Sequence, residues 1–178
     1  REYNSAHTNT WNSGSGGCNE GFLRSDAALA LIHISDEPEQ SELPYTHYVE
    51  LFQSKKIYTD DLVINAIAGD YPIGCGSAFP GTGYYEATTE TEGLFLSICA
   101  EEWTNHYEML ADAIIESVVP ALGDINRDDK VDILDAIMDL QTIIGQSFTP
   151  PPDLRAEIDG DKKLGLSEVY YIMQALAG

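Results

Sequence analysis

"GDINRDDKVDILDAI", residues 123–137, decides how the last third of the chain folds, because it sets an acid or amide at every second position and then stops doing so. Asp124, Asn126, Asp128, Asp129, Asp132 and Asp135 crowd together in a 178-residue chain that already carries a formal net charge of −21. Like charges this close repel unless something positive sits among them, so the run is either a solvated acidic loop or a cation cage. Spacing separates the two readings.

A calcium loop of the EF-hand kind offers oxygens at loop positions 1, 3, 5, 7, 9 and 12, position 7 through its backbone carbonyl. Counted from Asp124, these places fall on Asp124, Asn126, Asp128, the Lys130 carbonyl, Asp132 and Asp135, so every side-chain slot holds an oxygen donor. Asp129 stands at position 6, where Gly is usual, and Asp tolerates a left-handed backbone better than most residues. The stretch "EIDGDKKLGLSEVYYIMQALAG", 157–178, repeats the frame with Glu157, Asp159, Asp161, the Lys163 carbonyl, Gly165 and Glu168. Gly165 brings no side chain, so a water or a neighbouring group completes that shell, whereas Glu168 can bind bidentately. Two Ca²⁺ ions are therefore expected, the second held more weakly. Each loop runs into an apolar stretch at helical spacing, with Ile133, Ile137 and Leu140 after the first and Leu166, Val169, Ile172, Met173 and Leu176 after the second. Each stretch ends at a Gly that can stop a helix.

This duplicated loop-and-helix arrangement, joined by the Pro-rich "SFTPPPDLRA", resembles a dockerin module over about residues 121–178. The resemblance implies a small all-α unit folded by Ca²⁺, usually extracellular, that docks onto a cohesin-like partner. In such modules the partner is read at loop positions 10 and 11, here Ile133 and Leu134, then Leu166 and Ser167. Mostly apolar residues there depart from the Ser/Thr pairs of the cellulosomal type, and packing of these side chains on the rest of the chain is the alternative.

Composition is that of a globular chain, 43% hydrophobic and 10% aromatic. Thirty acids against nine bases argue against nucleic acid and against anionic membrane surfaces, and make cations the expected partners. No apolar run approaches the length of a membrane span. The N-terminal "REYNSAHTNTWNSGSGG" is polar and lacks a signal-peptide core, which a mature secreted chain would have lost.

Residues 22–119 alternate strand-like and helix-like runs. Strands are expected at 27–35, 61–69 and 92–100, helices at 45–56 and 108–119, and a further helix-like "YYEATTET" before the last strand. Strands alternating with helices imply βαβ units and a parallel sheet. The first strand runs into "SDEPEQS", which sets Asp36, Glu37 and Glu39 at its carboxyl end, where open α/β sheets bind ligands. This order, with "INAIAGDYPIGC" and "EATTETEGLFLSICAEEW" following, is similar to the later half of a bacterial von Willebrand factor A (vWA) domain. The resemblance implies a partial, Rossmann-like α/β domain over 16–120, preceded by an extended polar arm, 1–15, and gives Asp36 a place in a metal-ion-dependent adhesion site. The Asp-x-Ser-x-Ser that completes such a site is missing from the sequence. The plainer reading is that Asp36 and Glu37 cap the next helix or bind water.

Three cysteines, Cys18, Cys75 and Cys99, leave one over. The resemblance and the Gly-rich loop between the last two suggest a Cys75–Cys99 bridge in an oxidising compartment, while three reduced thiols remain the alternative. His7, His33, His47 and His106 are too scattered for zinc, and His33 within an apolar strand is expected in the core. "GSAFPGTG", 76–83, is expected to be a surface loop rather than a phosphate cradle, and Glu86, Glu90 and Glu92 a solvated face. No nucleophile motif or carboxylate pair marks an enzyme.

Three parallel strands are few for an open sheet, and the central strand is expected to be left at an edge that something must pair. The arm could add to a neighbouring copy, and head-to-tail exchange would give a filament. Alternatively, the missing half of the domain supplies the strand. The expected function is that of an extracellular, calcium-dependent adhesion or assembly protein, not an enzyme. The alternative is the attachment tail of a larger secreted enzyme or surface protein.

Overall fold

A computed structural model describes residues 20–118 and 120–178, the side chain of residue 118 excepted. Residues 1–15, to which the strand-exchanging arm was assigned, and Cys18 lie outside the described residues. The chain forms two compact units, Arg1–Val118 and Val119–Gly178. It is an α/β protein with one three-stranded parallel sheet and five α-helices among the described residues.

The first unit runs β1 (Leu29–Ser35), α1 (Tyr45–Gln53), β2 (Leu62–Ala68), α2 (Tyr84–Glu90), β3 (Phe95–Ser97) and α3 (Thr104–Val118). The strand order is β1-β2-β3. Leu29 to Ser35 pair in register with Leu62 to Ala68, whereas β3 pairs only Phe95, Leu96 and Ser97 with Ala66, Ile67 and Ala68. β2, with the apolar run LVINAIA, is buried along its whole length, as a central parallel strand covered on both faces should be. Two crossovers of the same hand in the same direction put α1 and α2 on one face. Leu62 and Ile64 there pack with Val49 of α1 and Ala87 of α2, and Leu29, Leu31, Tyr45 and Phe52 close around them. Val63, Asn65 and Ile67 point the other way, and α3 packs against β1 and β2.

Two positions show why the path is so tight. A Cβ on Gly93 would lie 1.9 Å from the Ile64 carbonyl oxygen, so only Gly lets the chain turn into β3 beside β2. The Asn65 Oδ1 accepts the Leu94 amide at 2.9 Å and fixes the same approach. Beyond β2, the Cys75–Cys99 disulfide joins the loop before α2 to the segment after β3.

Several expectations need correction. The strands left at the edges are β1 and β3, not the central strand, and β1 exposes Ile32 (47%) and Ile34 (59%). His33 is not a core residue: it shares the face of β1 that carries Leu29 and Leu31, but it is exposed, with its ring stacked on Tyr84 at 5.3 Å between centroids. Asp36 and Glu37 do not cap α1, whose N-cap is Pro44 with no side-chain bond. Nor is Glu86 simply solvated: its Oε2 accepts the Gly83 amide at 2.6 Å and closes the first turn of α2.

The second unit contains α4 (Ile133–Ile143) and α5 (Leu166–Ala177), each following an acidic loop. Its core is small. Ile125, Ala136, Ala156 and Ile172 are buried together, with Val131, Met138, Leu164 and Val169 packed around them. Of the apolar periodic residues that mark the two helices in the sequence, Ile133, Ile137, Leu140, Leu166, Met173 and Leu176 are exposed. The periodicity is right for helices, but the outward stripe is the more apolar one.

Candidate metal centre

The loop-helix repeats superimpose in sequence at an offset of 33 residues, and their local bonding repeats with it. In the first loop the last carboxylate, Asp135, is fully buried: its Oδ1 accepts the amides of Ile125 (2.8 Å) and Asn126 (3.0 Å), and its Oδ2 that of Asp132 (2.8 Å). In the second, Glu168 is 1% exposed, its Oε1 accepting from Ile158 (3.1 Å) and its Oε2 from Gly165 (2.8 Å). Each carboxylate thus ties the beginning of its loop to the helix that ends it, which fixes the loop's closure.

Within each loop the short acids fold the backbone back on themselves. Asp124 accepts the amides of Asp128 at 3.2 Å and Asp129 at 3.0 Å, Asn126 that of Asp128 at 2.9 Å, and Asp128 that of Lys130 at 3.1 Å. Glu157 accepts from Asp159 (3.1 Å) and Gly160 (2.6 Å), Asp159 from Asp161 (3.1 Å), and Asp161 from Lys163 (2.8 Å). The left-handed residues match too. Positions 4 and 6 are Arg127 (φ 61°) and Asp129 (φ 63°) in the first loop, Gly160 (φ 82°) and Lys162 (φ 62°) in the second. Asp129 therefore adopts the backbone for which Gly is the usual choice. Asp132 also caps α4, its Oδ1 accepting the Leu134 amide at 2.7 Å, while Gly165 stands at the same place before α5 with no side chain to offer.

Glu157, Asp159 and Asp161 each present a carboxylate oxygen within 4.8 Å of the others, close enough for one cation with oxygen bonds of about 2.4 Å to bridge them. This cluster could hold a metal ion. Its donors are hard oxygens with no His or Cys among them, which suits Ca²⁺ or Mg²⁺ rather than zinc. The convergent trio thus belongs to the second loop, the one expected to be weaker. In the first loop the donor at position 3 is an amide, and Asn126 turns its Nδ2 towards Asp128 Oδ2 at 3.4 Å. Burial raises the Asp124 carboxyl above its ordinary value, with Asp135 adding to the shift against the loop amides that lower it.

Two residues that spacing alone did not single out complete the unit. Asp153, 4% exposed, is clamped by Arg155 through Nη2 (2.7 Å) and Nε (2.9 Å), and Arg127 lies 3.7 Å away. The Asp153 amide donates to the Ile125 carbonyl (3.1 Å), and the Gly123 amide to the Ala156 carbonyl (2.8 Å), so the Pro-rich segment is laced to the start of the first loop. Asp139 of α4 is fully buried with neither carboxylate oxygen hydrogen-bonded. Neither was legible beforehand, since Asp153 sits in the Pro-rich connector and Asp139 in an apolar helical run, where each looks like an ordinary surface acid.

Comparison with family models, with curated proteins and with solved structures finds no match to this chain.

Proposed function

We propose that this is an extracellular, calcium-dependent adhesion or assembly protein whose C-terminal unit is a dockerin-like module folded around two Ca²⁺ ions. The N-terminal unit is read as the later half of a vWA-like domain, and no catalysis is assigned to either. One observation carries the calcium reading: two loops, 33 residues apart, repeat the same donor places, the same left-handed positions and the same buried closing carboxylate. The ligands are Asp124, Asn126, Asp128, the Lys130 carbonyl, Asp132 and Asp135 in the first site, and Glu157, Asp159, Asp161, the Lys163 carbonyl and Glu168 in the second. The C-terminal unit holds eleven acids and five bases, so two divalent ions would neutralise four of its six net negative charges. The Cys75–Cys99 disulfide fits an oxidising, extracellular setting. No helix among the described residues is long and apolar enough to cross a membrane.

The assembly part of the reading rests on β1, an edge strand with Ile32 and Ile34 exposed, which invites a fourth strand from another copy or from the rest of the domain. A second reading, the attachment tail of a larger secreted protein, is favoured by a different feature. Ile133, Ile137 and Leu140 on α4 and Leu166, Tyr170 and Met173 on α5 occupy equivalent places and are all exposed, as a surface for a cohesin-like partner would be. Calorimetric titration of the full chain tests what the two readings share. Two Ca²⁺ per chain are expected, and a stoichiometry of zero or one would contradict the assignment.

A further inference from the structure

Asp139 is costly where it stands. Its side chain is 0% exposed, and neither oxygen has a hydrogen-bond partner, whereas a buried carboxylate is normally paired or bonded. The charged group acting on it from α5 is Glu168, which is also negative. The Val169 amide is near enough to favour the ionised form but falls outside hydrogen-bond geometry. The repeat shows what the same place holds when only packing matters. Thirty-three residues on, the equivalent position is Ile172, likewise 0% exposed and part of the apolar core. An aliphatic side chain at 139 would therefore serve the small core better than Asp.

We propose that Asp139 makes the folding of the C-terminal unit depend on Ca²⁺ in the second loop. The inference rests on the calcium reading above and adds a coupling to it. Asp139 belongs to the helix that follows the first loop, and Glu168 is the closing ligand of the second. Without a cation their repulsion in a buried site penalises the packing of α4 on α5. A Ca²⁺ ion held by Glu168 supplies the opposite charge and offsets the penalty, so metal binding and helix packing strengthen each other. The negative potential of Asp139 in turn raises the affinity of that loop for the ion.

The test compares the full wild-type chain with Asp139→Asn and Asp139→Leu, following thermal unfolding of helix in EGTA and in saturating Ca²⁺, together with Ca²⁺ titration. Both variants should keep more helix than wild type in EGTA, and the stabilisation that Ca²⁺ adds should shrink. Affinity at one of the two sites should fall about fivefold or more. Equal stabilisation with and without Ca²⁺ would overturn the proposal, because Asp139 would then be only a poorly placed core residue. Loss of stability in EGTA would overturn it too, as would failure of both variants to fold in Ca²⁺; if only one fails, the other decides. A wild-type chain that does not respond to Ca²⁺ would sink the calcium reading itself, which separates the two failures.

Discussion

Asp153 and Asp139 lie in the same unit, equally hidden, and are served in opposite ways. Burial alone would raise the Asp153 carboxyl, but the hydrogen bonds and charge of Arg155 outweigh it and hold the group below its ordinary value near 3.8. It therefore favours the fold above that pH, and the contribution is lost as pH falls through the lower, folded value. Arg155→Met should cost roughly 3 kcal/mol in denaturant unfolding, since a buried acid loses its main partner. A change within experimental error would show that Arg127 suffices. Asp139 behaves conversely: burial, then Glu168, push it up to about 6, so its ionised form is disfavoured in the fold and stability is lost as pH rises from its ordinary 3.8 towards 6. In EGTA the helical signal of the chain should be more heat-resistant at pH 5 than at pH 7, and a signal independent of pH would contradict this. At this scale the sequence was legible where spacing has meaning. Asp129 at position 6 and Asp135 and Glu168 at position 12 follow from the frame, while a partnered and an unpartnered Asp cannot be told apart until the helices are packed.

At the scale of elements, existence was easier to read than extent. β3 is only Phe95–Ser97 although the apolar run covers 92–100, because Gly93 and Asn65 set the approach to β2 and the segment after Ser97 turns towards the disulfide. α3 begins at Thr104, four residues before the expected start, with Trp103 and His106 stacking at its first turn, centroids 6.4 Å apart. In α4 and α5 the hydrophobic stripe was a sound signal for a helix and a poor one for burial, since a two-helix unit has one narrow seam and fills it with Ala136, Val169 and Ile172. The disulfide closes a loop with a sequence separation of 24. In the chain-entropy model, reducing it should lower the stability of the N-terminal unit by about 3 kcal/mol. Unfolding midpoints that coincide with and without reductant would show that the loop is held by other contacts.

For the whole molecule, the proposal joins two features: a sheet whose edge strand β1 could take a further strand, and a C-terminal module whose packing is proposed to depend on cations. If β1 takes a strand from the arm of another copy, removing residues 1–15 should abolish ordered assembly in light scattering and microscopy while Ca²⁺ binding persists. Identical oligomers from the shortened chain would exclude strand exchange by that arm. The claim on which the rest depends is that Ca²⁺ holds the C-terminal unit together, and hydrogen exchange of the full chain with Ca²⁺ and with EGTA reads it most directly. Chelation should strip protection from peptides spanning α4 and α5 and leave those of β1 and β2 unchanged. Protection of α4 and α5 that is the same in both conditions would contradict it.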